Sequence, residues 1–275
     1  MRPVPASHVP AARAIWRGDT ARTGVREIPE ETAVALTYGR ATHAVMMATP
    51  ADLRDFALGF SLSEGIVAGP EDIEALDIVV VADGIELRMD LVPARRDGLT
   101  RRQRRITGPG GCGLCGMDSL AEALRPMPAV PAGRRFVPAE IAAAQRALAT
   151  AQPLNDLTRA VHAAAFWTPE DGLVMAREDV GRHNALDKLL GAMVWAHRPA
   201  ALGLLLLSSR VSVEMVQKAA ALGVPAIVAV SAPTALAART ADAAGITLIG
   251  VARDDSFEVF THTHRIGTEQ LRHGA

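Results

Sequence analysis

Two mainly apolar stretches, Ala33 to Tyr38 and Thr42 to Ala48, flank Gly39-Arg40. This pattern predicts a β-hairpin. Ile78 to Val81 and Ile85 to Val92, separated by Asp83-Gly84, predict a second one. Between the two, Leu53, Phe56, Ala57 and Phe60 recur at helical spacing. Thr49 as N-cap and Pro50 as first helical residue would open that helix, and Gly65 would stop it. Residues 1–27 show no comparable contrast and read as a flexible N-terminal arm.

The second half changes rhythm. Helices are expected near 138–149 and 156–165, then a strand over Leu173–Arg177 and a helix over 184–196. Leu202–Leu207, a helix at 213–222, Ala226–Val230, a helix at 233–244 and Thr247–Val251 follow as βαβαβ. Short apolar strands of this kind pack in a parallel sheet with helices on both faces. Val259-Phe260 would add an edge strand, and Arg125 to Pro138, with four prolines, reads as a linker. The expected division is an arm at 1–27, an N-terminal subdomain at 28–130 and a C-terminal domain at 131–275.

The chain has 275 residues, 49% of them apolar and 21% charged, which excludes whole-chain disorder. A net charge of −1 supplies no pull toward nucleic acid or an anionic membrane. The longest apolar run, Ala200 to Leu207, is too short to span a bilayer, and the N-terminus has no signal-peptide core, so a cytoplasmic address is expected. The basic residues are almost all Arg, with Lys only at 188 and 218.

Cysteine changes the picture most. Cys112 and Cys115 are the only two, and they sit in Gly108-Pro-Gly-Gly-Cys-Gly-Leu-Cys-Gly116, with five glycines in nine residues. The preceding residues 95–105 hold six Arg and one Asp. A buried apolar pair, half of a zinc site, a thiol redox pair and a sulfur relay all use two neighbouring cysteines. A relay thiol must reach two partners in turn, which a glycine-rich loop allows, and nearby arginines favour its thiolate.

Gly111-Cys-Gly-Leu-Cys-Gly116 resembles the cysteine loop of the formate dehydrogenase accessory sulfurtransferases, the FdhD family. Ala44-Val-Met-Met-Ala-Thr-Pro50 and Phe56 to Ile66 are similar to its N-terminal block. His162 to Ala165, Glu178-Asp-Val-Gly-Arg-His183 with Ala185-Leu-Asp-Lys188, Ser208-Ser-Arg210 and Glu214 to Lys218 are similar to its central blocks. Thr158-Arg159-Ala160 departs from the family by lacking a glycine before His162.

The resemblance implies a cytidine-deaminase-like three-layer α/β/α domain with a smaller N-terminal α+β subdomain, and a homodimer. It implies a sulfurtransferase with Cys112 as persulfide carrier and Cys115 as its motif partner. A cysteine desulfurase would be the donor and formate dehydrogenase the client. The acceptor would be the bis(molybdopterin guanine dinucleotide) form of the molybdenum cofactor, which a guanine nucleotide may imitate, with no permanently bound cofactor or metal. The family's cofactor stretch falls on Ala252, Arg253, Asp254, Asp255, Ser256 and Phe257.

The residues themselves add candidates. The loops after the three parallel strands should share one sheet edge, where anionic ligands bind. That makes Arg210 and Arg253 candidate phosphate or guanine partners, and Arg182 with His183 a second polar cluster, with Asp179 either orienting His183 or capping the helix. His162, expected on a helix, is followed by Ala163-Ala164 rather than X-Glu, and Cys112 follows Gly111 rather than Pro, so zinc-dependent deamination is not expected. A cofactor-binding chaperone with dispensable cysteines and a thiol redox or zinc-binding module are the other function classes.

Overall fold

In the computed structural model, the structure describes residues 2–96, 127 and 129–267. The cysteine loop, the arginine-rich run from residue 97 and the helix expected at Met117–Leu124 lie outside the described residues.

The first half contains β1 (His8–Arg17), β2 (Thr20–Pro29), β3 (Thr32–Tyr38), β4 (Ala41–Ala48), α1 (Leu53–Ser63), β5 (Ile73–Val81) and β6 (Gly84–Leu91). β1 and β2 pair antiparallel along their full length. The expected flexible arm is therefore a regular hairpin, turned at Gly18 in the left-handed region with φ 57°. It is mostly exposed, down to Trp16 at 67%. Its strands scatter Val, Ile and Trp among Ala, Arg and Thr with no buried face, so backbone pairing rather than apolar contrast defines them.

β3–β4 and β5–β6 are the two predicted hairpins. They join by parallel pairing of β3 with β6 into a sheet of order β4-β3-β6-β5. One face buries Val34, Leu36, Ile85, Leu87 and Met89 against Phe56, Ala57 and Phe60 of α1. Their period of two along the strands puts them all on that face.

The second half contains α2 (Pro138–Ala149), α3 (Pro153–Thr158), β7 (His162–Thr168), β8 (Gly172–Asp179), α4 (Arg182–Trp195), β9 (Leu204–Leu207), α5 (Val213–Leu222), β10 (Ala226–Ala229), α6 (Ala235–Ala244), β11 (Thr247–Arg253) and β12 (Ser256–Val259). The sheet order is β12-β11-β10-β9-β7-β8. β9, β10 and β11 are parallel, as the βαβαβ pattern predicts; β7, β8 and β12 are antiparallel to their neighbours. In β9, Leu205 and Leu207 pack with α4, α5 and α6 on one face. Leu204 and Leu206 pack with Ile141, Ala144 and Leu148 of α2 on the other. The result is a three-layer α/β/α arrangement.

Three local expectations change. The helix expected over 156–165 ends at Thr158, and His162 opens a strand. Ala163, Ala164 and Ala165 are buried between two helical layers, where small side chains fit, so packing overrides alanine's helix preference. Arg159 holds the left-handed conformation at φ 57°, so the turn that lacks a glycine keeps a glycine-like backbone. The proline-rich segment is strapped to the core, with Phe136 buried and bridged to Ile266.

Candidate functional site

The parallel strands bring the loops after β9, β10 and β11 to one sheet edge, as expected. β7 runs antiparallel to β9, so His162 at its start arrives at the same edge. The N-termini of α4 and α5 open there too.

Asp179 builds the entry to α4. It is fully buried, and one carboxylate oxygen accepts hydrogen bonds from the Gly181 N–H at 2.8 Å and from Asn184 Nδ2 at 3.0 Å. Its other oxygen accepts from the Thr49 N–H at 3.0 Å and meets Lys188 Nζ at 2.6 Å. The Gly181 contact is the Asx turn foreseen for Asp179. All four partners exclude His183, so Asp179 does not orient that imidazole. Thr49 is likewise not the cap of α1: its Oγ1 accepts from the Val180 N–H at 3.1 Å and its carbonyl from Lys188 Nζ at 2.8 Å. The helix starts later, behind Asp52 in the left-handed region.

Arg182 and His183 are the first two residues of α4. Glu214 Oε2, in the first turn of α5, lies 2.7 Å from His183 Nε2, within ion-pair distance of the ring. Burial lowers the His183 pKa; Glu214 opposes this, while Arg182 and Lys218 add to it. The His162 pKa is also lowered, first by burial and then by Arg182, with Asp179 opposing. Arg182 Nε and Ser212 Oγ are buried without a hydrogen-bond partner. Ser212 is the N-cap residue of α5 and caps nothing with its side chain. Unpaired buried groups cost about 1–3 kcal/mol each, so such a cluster calls for an outside partner. At two helix N-termini carrying partial positive charge, an anionic oxygen would be the stabilised partner.

The other candidates sit differently. Ala252 is a buried core residue inside β11, with its methyl group among the α2-side residues. It can offer a ligand only its backbone. Arg253, Asp254, Asp255 and Ser256 form the exposed tip of the β11–β12 hairpin, and Phe257 packs back on the core. Arg253 Nε donates to the Val230 carbonyl at 3.3 Å and Ser256 Oγ to the Arg253 carbonyl at 3.2 Å. Arg210 is exposed beside the buried Ser209, on a loop bridged to the next by Val211 and Pro233. The site is thus two clusters on one edge. β9 and β11 are two strand spacings apart, about 10 Å. That separation suits an extended anion, not a single phosphate. Among the described residues there is no group of three or more His, Cys, Asp or Glu placed to hold a metal.

Residues 29–267 match the family model described as the FdhD/NarQ family. This chain belongs to the FdhD/NarQ family. Family relatives include a sulfur carrier protein of Agrobacterium fabrum, 52% identical over 264 residues, or 96% of this chain and 97% of that one. Another, from Brucella abortus, is 52% identical over 242 residues, covering 88% and 90% of the two chains. The fold is similar to the crystal structure of a putative formate dehydrogenase accessory protein from Desulfotalea psychrophila, with a TM-score of 0.75 and 25% identity over 94% of this chain and 99% of that one. Family membership agrees with the resemblance of the cysteine loop and central blocks. Sequence reasoning reached Arg182, His183 and Arg210 but passed over Ser212, Lys188 and Lys218. The signal for the lysines was present, because an arginine-dominated chain spends its two lysines inside the two central blocks.

Proposed function

We propose that this chain is a sulfurtransferase that receives persulfide sulfur on Cys112 from a cysteine desulfurase and passes it to the bis(molybdopterin guanine dinucleotide) cofactor, the substrate, for use by formate dehydrogenase. In the loading step the Cys112 thiolate attacks the outer sulfur of the donor's persulfide. A new S–S bond forms at Cys112, the donor's S–S bond breaks, and the donor cysteine leaves as a thiolate. Cys115 assists or protects the persulfide. The protein acts in the cytoplasm and as a homodimer.

The carrying observation is the pair of unpartnered buried groups, Arg182 Nε and Ser212 Oγ, at two helix N-termini on the edge that also bears Arg210 and the β11–β12 tip. It is the surface an anionic dinucleotide needs. Arg182 and Ser212 supply donors to phosphate oxygens. Arg253 and the backbone N–H groups of 252–257 supply the far end. Asp254 and Asp255 point the assignment there toward backbone rather than carboxylate contacts, because carboxylates repel pyrophosphate.

The test incubates the protein with a cysteine desulfurase and cysteine and reads intact mass. Wild type should gain about 32 Da per transferable sulfur, and Cys112→Ala should gain none there. No gain in wild type, or an equal gain in Cys112→Ala, overturns the reading. Full support of formate dehydrogenase by Cys112→Ser would favour a cofactor chaperone, since none of the residues assigned above to the anion-binding edge is a cysteine.

A further inference from the structure

Of the 29 basic residues only Lys188 and Lys218 are lysines, and both are interior, at 0% and 9% exposure. Their surroundings repeat. Lys188 Nζ pairs with Asp179 at 2.6 Å and donates to the Thr49 carbonyl at 2.8 Å. Lys218 Nζ donates to both oxygens of Asp187, at 2.8 and 2.9 Å, and to Ser63 Oγ at 2.8 Å. Each ammonium also lies near an aromatic ring of α1, Phe56 at 5.9 Å and Phe60 at 5.8 Å. Thr49 precedes α1 and Ser63 ends it, so one lysine from α4 and one from α5 hold the two ends of the same helix.

A buried ion pair is a poor way to gain cohesion, since apolar residues of similar volume are often as stabilising or more so. What such a pair supplies is placement. A lysine presents a compact ammonium with three donors, whereas arginine's planar fork needs a wider cradle. Asp179 uses its remaining oxygen on Gly181 and Asn184, so the lysine contact and the start of α4 share one carboxylate. Asp187 is one α4 turn further on.

We propose that Lys188 and Lys218 are positioning residues that clamp α1 along α4 and thereby set the N-termini of α4 and α5 for the anionic part of the substrate. This rests on the reading of that edge as the cofactor site. It makes the first half of the chain part of the site without contact to the ligand.

The test uses charge-balanced pairs, Lys188→Met with Asp179→Asn and Lys218→Met with Asp187→Asn, so that no orphan charge is left inside. GDP affinity and amide hydrogen exchange over 181–185 are measured well below the melting midpoint. Both pairs should stay folded, bind GDP at least about tenfold more weakly and exchange at least about tenfold faster over 181–185. Ile141→Val, which trims the core beneath α2, should lower the midpoint and change neither readout. If a pair fails to fold, Ser63→Ala, which removes the hydroxyl's contacts with Lys218, Asp187 and the Phe60 carbonyl but leaves both lysine–carboxylate pairs, should still weaken GDP binding about threefold. Wild-type affinity and wild-type exchange in the folded variants overturn the clamp. Failure of wild type to bind GDP overturns the cofactor reading instead, and the exchange measurement still decides the clamp.

Discussion

Gly59 of α1 and Gly191 of α4 meet where the two helices cross. A β-carbon on Gly59 would collide with the Asp187 carbonyl oxygen, and one on Gly191 with the Asp55 carbonyl oxygen. Both obstacles are backbone and cannot swing aside. Gly59→Ala or Gly191→Ala is therefore expected to force the helices apart and cost about 3 kcal/mol or more, the upper end of overpacking effects. Denaturant midpoints of the two variants check this. A cost under about 1 kcal/mol would mean the crossing has slack.

Breaking a buried pair from one side is worse than removing it. Lys188→Met leaves Asp179 charged and fully buried, and should cost about 3–5 kcal/mol. Adding Asp179→Asn should restore much of that loss. A double-mutant cycle on unfolding free energy measures the coupling, and strict additivity would contradict it.

The histidines of the site set an acid-side limit on stability. Burial lowers the pKa of both His162 and His183. The folded protein then binds fewer protons than the unfolded chain, whose histidines titrate near about 6.5. Their contribution is complete above that value and is lost as pH falls through the folded pKa. Burial raises Asp187, which acts in the opposite sense at lower pH. The melting midpoint should fall between pH 7.5 and 5, and less steeply in His162→Gln. An identical slope in that variant would remove His162 from the account.

The β1–β2 hairpin contributes little to the core. Arg26 donates to the Thr158 carbonyl at 3.0 Å, while much of both strands is exposed. The family match begins at residue 29, the last residue of the hairpin. A chain starting at Glu30 should melt within about 3 °C of the full-length protein, the shift expected for about 1 kcal/mol. A larger drop in a thermal scan would show that the hairpin stabilises the body.

Local chemistry made much of this fold legible. Gly39-Arg40 and Asp83-Gly84 mark real hairpin turns, and the four leucines of β9 sit where a doubly covered strand should. The illegible parts depend on distant partners. Thr49 looks like a helix cap, yet its donor and acceptors are used by Asp179, Val180 and Lys188, more than 120 residues away. Ala163 to Ala165 look helical until two helical layers demand small strand residues. Arg182 and His183 were legible as polar residues between a strand and a helix. Ser212 was not, because its mark is a hydrogen bond it does not make.

The same long-range ties bear on how the chain comes together during synthesis. Ser63 gains its contact with Lys218 across 155 residues, and Thr49 gains Lys188 across 139. Closing loops of that length carries an entropy cost and delays the contacts that depend on them. α1 is made early with its aromatic face and both polar ends ready. Its last anchor emerges from the ribosome only in the final quarter of a 275-residue chain. Until then α1 rests on its own sheet without its tie to α5, so the union of the halves is completed late and the anion-binding edge with it.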